Sequence, residues 1–219
     1  MAGSAYFPRL AGDTRQQPHL FMRHSAVVRI THWINTLSFF GLLVSGIAIL
    51  LAHPRLYWGE TGNVDTPSLI DLPLPFVLVG QSGWGRSLHF LSAWFSVLNG
   101  LLYVLSGVLT KHFRWTAQLE EESSPYNLPQ RVTYLVVVAI LFPLMIWTGL
   151  AMSPAVTSVF PSLVTGLGGQ QSARTIHFFV AGALVLFLFV HITMVSLAGF
   201  RNHVKAMITG GGYPRKDRA

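Results

Sequence analysis

The sequence predicts an all-α integral membrane protein, a bundle of four transmembrane helices. Three observations carry that prediction. Hydrophobic residues make up 51% of the 219 positions and charged residues only 11%, against about 25% charged in an ordinary soluble domain. The mean hydropathy is +0.49, so too few polar groups are present to coat a globule of this size. Four apolar stretches, near 26–51, 85–110, 131–152 and 173–199, are long enough to cross about 30 Å of hydrocarbon, which takes roughly 20 helical residues.

The stretches differ in how cleanly they read. Between Val132 and Met152, and between Thr175 and Phe200, there is no Asp, Glu, Lys or Arg. The first stretch carries Arg29 near its start, and the second is opened by Arg86 and closed by Lys111, His112 and Arg114. Residues 1–25 are polar and broken by Pro8 and Pro18, and read as a tail rather than a cleaved signal peptide, because the first apolar run begins late and exceeds an ordinary h-region. Residues 26–200 form the membrane domain and 201–219 a second tail. Between the second and third stretches, Glu120, Glu121, Glu122, Ser123, Ser124 and Pro125 mark a solvated loop, whereas the other two connections are rich in proline and glycine.

With four crossings, both tails and the central loop share one side. That side holds Arg9, Arg15, Arg23, Arg29, Lys111, Arg114, Arg131, Arg201, Lys205, Arg215, Lys216 and Arg218, and the other side only Arg55, Arg86 and Arg174. This asymmetry predicts that both termini are cytoplasmic in a bacterial inner membrane. The formal charge of +7 then encodes orientation, and no nucleic-acid partner is expected.

The chain has no cysteine, which removes disulfides, thiolate-held metals and the C-x-x-C-H attachment of c-type haem. Any cofactor is held by nitrogen, oxygen or thioether sulfur. Four of the nine histidines lie within the apolar stretches: His32 in the first, His89 in the second, His177 and His191 in the fourth. Ionisable groups at membrane depth are costly and mark function, although a single histidine there reads equally as an interhelical hydrogen bond. Counting from the membrane faces pairs His89 with His177 about four residues below the outer face, and His32 with His191 about six to eight residues inside the inner one. Positions 177 and 191 lie close to four whole turns apart, on one helix face and roughly 21 Å apart along the axis. One metal ion cannot bridge that gap, but two haems, each between a pair of facing histidines, fit it. Imidazole suits iron, and bis-histidine ligation fills both axial positions, leaving electron transfer as the chemistry.

Three of these histidines follow an arginine by three residues: Arg29-Ile-Thr-His32, Arg86-Ser-Leu-His89 and Arg174-Thr-Ile-His177. Positions i and i+3 are neighbours on a helix surface, so each arginine stands one turn nearer water than its histidine, placed to meet a haem propionate. The same arginines also fit plain anchoring of helix ends. His112, on the inner side, is a candidate contact for a quinone.

With these residues in view, the chain resembles the membrane cytochrome b subunits of nickel–iron hydrogenases, formate dehydrogenases and thiosulfate-reductase-type enzymes, within the bacterial cytochrome b561 group. The resemblance covers roughly residues 22–205 and rests on the constellation His32, His89, His177 and His191. It implies a four-helix core with two b haems, His89 and His177 holding the outer one and His32 and His191 the inner one. It also implies a quinone site entering the third helix, where this chain reads Tyr126-Asn127-Leu128-Pro129-Gln130-Arg131. Proline stands where the formate-dehydrogenase-like pattern has glycine and offers no backbone donor; the stretch also reads as a plain helix start.

The function implied is a membrane-anchoring electron-transfer subunit of an oxidoreductase complex, linking a periplasmic enzyme of molybdopterin or hydrogenase type to the quinone pool. The chain has no primary-substrate chemistry of its own. Two rivals stay open at this point: a stand-alone b561-type quinone oxidoreductase, for example one oxidising superoxide, and a transporter whose histidines relay protons. A zinc protease is excluded, since no H-E-x-x-H occurs.

Overall fold

The computed structural model describes residues 25–63, 65–74, 82–109, 132–133 and 135–211. Three described helices are long and apolar enough to cross a membrane: α1 (Ala26–Ala52), α2 (Ser82–Leu109) and a later helix, Gln170–Leu197. A shorter apolar helical run, Val137–Ala151, lies between the second and the last. It is a multi-pass membrane architecture, mostly helical.

Helix α1 opens on Ser25, whose hydroxyl accepts the Val28 amide at 3.3 Å, satisfying one of the amides that a helix start leaves bare. It packs along α2 through a seam of small residues. On α1, Thr31, Ser38 and Ser45 recur every seven positions and are buried. On α2, running the other way, Gly85, Ser92 and Asn99 do the same. Small side chains let two helix backbones approach closely, and the polar ones bond across the seam: the Asn99 amide donates to the Thr31 carbonyl at 2.8 Å.

The third apolar stretch is helical from Leu135 onward, with Val132 and Thr133 also helical. It begins with a wide turn, Val137–Leu141, in which the Phe142 amide reaches the Val137 carbonyl five residues back, and continues as α3 (Phe142–Ala151). Pro143 explains the widening. Its ring collides with the carbonyl four residues back and it donates no hydrogen bond, so the helix takes in an extra residue instead of breaking. Arg131, expected to open this stretch, lies outside the described residues.

Two single-turn helices follow, α4 (Pro154–Thr157) and α5 (Ser162–Thr165), then α6 (Gln170–Leu197) and α7 (Phe200–Thr209). Val137, Val180 and Leu184 form a small core between α3 and α6, joined by Phe39 of α1. The expected second tail thus begins as a helix. Helix α7 is docked by its last turn onto the start of α1, where Trp33 donates to the Met207 carbonyl at 3.2 Å and Arg29 to the Ile208 carbonyl at 2.7 Å.

The connection after α1 forms a small hairpin, β1 (Arg55–Leu56) against β2 (Ile70–Asp71), with Arg55 and Asp71 paired at 3.0 Å. This connection is latched to α6. The Gly59 carbonyl accepts the Gln171 amide at 2.9 Å and the Ser172 amide at 3.3 Å, and the Glu60 carboxylate takes the Gln170 amide at 3.4 Å. In return the Ser172 hydroxyl accepts the Gly59 amide at 2.8 Å, and buried Thr175 donates to the Tyr57 carbonyl at 2.6 Å. The amides left bare at the start of α6 are thereby met, and a carboxylate stands at the positive end of the helix dipole.

Candidate haem site

The structure brings His89 of α2 and His177 of α6 together, with ring centroids 6.1 Å apart and ring planes at 61°. A metal–imidazole bond of about 2 Å puts two imidazoles on opposite sides of one metal atom at roughly this separation. Each ring is fixed from a neighbouring helix. The Ser45 hydroxyl of α1 lies 3.0 Å from His89 Nδ1, and the Thr148 hydroxyl of α3 lies 2.9 Å from His177 Nδ1. With Nδ1 engaged on both rings, Nε2 is the nitrogen left for a metal, and a ligating histidine ordinarily donates its other nitrogen to such a partner.

A glycine backs the edge of each ring, at a distance where an added Cβ would make ordinary van der Waals contact. A Cβ added at Gly46 would meet His89 Cε1 at 3.7 Å, and one at Gly149 would meet His177 Cε1 at 3.7 Å. Among the described residues, no group of three or more His, Asp or Glu side chains gathers that would hold a bare metal ion. The donors come as an opposed pair of imidazoles, the set that suits iron carried in a macrocycle. The residues present fit haem.

At the end where the two proline-rich connections lie, a cavity of about 400 Å³ is lined by His53, Gly62, Arg86, Met152, Gln170, Gln171 and Arg174. Two of the three expected propionate arginines, Arg86 and Arg174, therefore line one cavity, each three residues before a histidine of the pair. The Arg174 guanidinium also donates to the His53 carbonyl. Burial, followed by the Arg174 and Arg86 charges, pulls the His53 imidazole below its usual pKa; the two guanidinium groups give the cavity its positive charge.

His32 and His191 lie towards the other end, on α1 and α6. His32 stands edge-on to Trp33 with centroids 5.5 Å apart, and His191 lies against Phe187 at 6.0 Å. Arg29, the third expected propionate partner, is engaged with the last turn of α7. The candidate quinone residues His112, Tyr126, Asn127 and Gln130 all lie outside the described residues.

Sequence reasoning missed Ser45 and Thr148. A signal was available: Val44-Ser45-Gly46-Ile47-Ala48 and Trp147-Thr148-Gly149-Leu150-Ala151 repeat one pattern of apolar, hydroxyl, glycine, branched aliphatic and alanine.

The sequence matches the family described as Prokaryotic cytochrome b561 over residues 23–210. It is 30% identical over 197 residues, covering 81% of this chain and 92% of the relative, to a protein of Azospira oryzae named "Putative protein-methionine-sulfoxide reductase subunit YedZ1". No solved structure matches. The family match spans most of the chain and contains all four intramembrane histidines: the chain belongs to the prokaryotic cytochrome b561 family, a b-type membrane cytochrome.

Proposed function

We propose that the chain is the membrane-anchoring subunit of an oxidoreductase complex, a four-crossing bundle with two haem b that carries electrons between a periplasmic partner enzyme and the quinone pool. The observation that carries this reading is the opposed pair His89 and His177, 6.1 Å apart, each steadied by a buried hydroxyl. Haem b held by these histidines would supply one-electron transfer.

The chain's own residues do the rest. His89 and His177 hold the group nearer the proline-rich connections, and His32 and His191 hold the one nearer the termini. Arg86 and Arg174 offer positive charge to carboxylates at the first site, and Arg29 at the second. The surrounding apolar helices exclude water. His112, Tyr126, Asn127 and Gln130 supply hydrogen-bonding groups for a quinone on the side of the termini.

The distribution of Lys and Arg supports cytoplasmic termini, which puts the arginine-lined cavity on the periplasmic face, where a partner would dock. That partner is an oxidoreductase of molybdopterin or hydrogenase type. The name of the Azospira relative supports a reductase, and electrons then run outward from quinol to partner.

The test is to purify the full chain, record a reduced-minus-oxidised spectrum and quantify haem as its pyridine complex. About two haems per chain, reduced on anaerobic addition of quinol, are expected. A colourless chain overturns the reading in favour of a proton-relay transporter, and haem that quinol does not reduce overturns the quinone link.

A further inference from the structure

We infer that Ser45 and Thr148 are positioning residues: they fix the tautomer and orientation of His89 and His177 and thereby set the reduction potential of the group those rings hold. The inference rests on the function proposed above, since it takes both rings as ligands.

The two sites are built alike. Ser45 and Thr148 are fully buried, each at 0% exposure. The Ser45 hydroxyl lies 2.6 Å from the Gly41 carbonyl and 3.1 Å from that of Leu42. Thr148 repeats this with Leu144 at 2.8 Å and Met145 at 3.1 Å. A hydroxyl has one hydrogen. With that hydrogen spent on the helix's own carbonyls, the contact to the imidazole runs the other way: Nδ1–H donates and the hydroxyl oxygen accepts. Each ring is held as the Nδ1–H tautomer, with the Nε2 lone pair free to ligate. The opposite arrangement, a hydroxyl donating to a bare Nδ1, would leave a neutral ring protonated on Nε2 and unable to bind iron.

The duplication argues against coincidence. The same five-residue pattern stands on α1 and on α3, the two Oγ to Nδ1 distances are 3.0 and 2.9 Å, and the following glycine lies beside the ring edge both times. Helix α3 carries no histidine; holding His177 is its contribution to the site. The hydroxyls act through the rings by a known route. Donation from Nδ1 makes an imidazole a stronger electron donor, which favours the oxidised state of the iron and lowers its potential.

The experiment is a redox titration and low-temperature electron paramagnetic resonance on the full purified chain, comparing the parent with Ser45→Ala and Thr148→Val, and with Ser45→Thr and Thr148→Ser as conservative controls. Removing either hydroxyl should raise the reduced-to-oxidised ratio of one haem about three- to tenfold at a fixed potential, tenfold being 59 mV for a one-electron couple. The ferric signal of that haem should shift, the second haem should not change, and the conservative variants should stay near the parent. Haem lost from Ser45→Ala or Thr148→Val but kept in the matching conservative variant supports the same role. Unchanged potential and signal with haem retained overturns the inference, as does loss of haem from the conservative variants too, and either result leaves the proposed function standing. A parent chain free of haem overturns both.

Discussion

Replacing Gly169 by alanine should open the latch that ties the first connection to α6. Gly169 adopts φ 117° and ψ 168°, a region open essentially to glycine alone, which costs another residue about 1–3 kcal/mol. A Cβ there would overlap the Gly59 carbonyl and come within 2.7 Å of the Glu60 nitrogen. Both are backbone atoms that cannot swing aside, and overpacking of this kind adds about 1–3 kcal/mol. Moving Gly59 away also forfeits its bonds to the Gln171 and Ser172 amides, each worth about 0.5–1.5 kcal/mol. Together these amount to roughly 3–9 kcal/mol, or a fall in melting temperature on the order of 10 °C or more for a chain of this size. Tryptophan fluorescence during thermal unfolding of the purified chain reads the effect, since Trp58 sits one residue before Gly59. Limited proteolysis of the 53–74 connection gives a second readout, with faster cleavage expected. A variant that melts with the parent and resists protease equally would refute the steric reasoning.

Three further outcomes are expected. His177→Ala should remove one haem and leave the other, halving the pyridine-haem yield; full retention contradicts the ligand assignment. Folding holds the His53 imidazole below its unfolded pKa, so the unfolded chain binds the proton more readily. Stability tied to His53 is therefore complete above about pH 6.5 and is lost as the pH falls from there through the folded value. The gap in melting temperature between the parent and His53→Gln should change across that window, and parallel curves from pH 7.5 to 5 argue against it. Arg29→Ala removes the guanidinium that holds the Ile208 carbonyl, so amide hydrogen exchange in 200–209 should speed up several-fold while that of α2 stays slow; unchanged exchange means α7 does not depend on this bond.

Much of the architecture is legible in composition and spacing, because a bilayer imposes its thickness on the sequence. The three long helices lie where hydropathy places them, and counting residues inward matches His89 with His177, whose rings meet. What escapes such counting depends on partners far away in the chain. A serine or threonine within a helix ordinarily bonds only its own preceding turn, so nothing local shows that Ser45 also faces a residue 44 positions on, or Thr148 one 29 positions on. The spacing of arginine to histidine sets Arg86 and Arg174 one turn beyond their histidines, and the two line one cavity. It cannot show that Arg174 also binds the His53 carbonyl or that Arg29 is occupied by α7, because i to i+3 fixes a side of the helix and not a partner. Pro143 announces a disturbance, but whether a helix kinks or widens is decided by what packs around it.

The helices are joined as two hairpins. Helix α1 lies along α2 and α3 along α6, while close backbone approach between the hairpins is sparse among the described residues. Each hydroxyl clamp works within its own hairpin, yet the rings it steadies belong to opposite ones. In the proposed holo-protein the iron is thus a suture: every ligand pair stitches one hairpin to the other, His89 to His177 and His32 to His191. Cofactor insertion would then reinforce, within the membrane span, an assembly that the latch of Gly59 and Glu60 onto α6 and the docking of α7 on α1 already hold at its two ends.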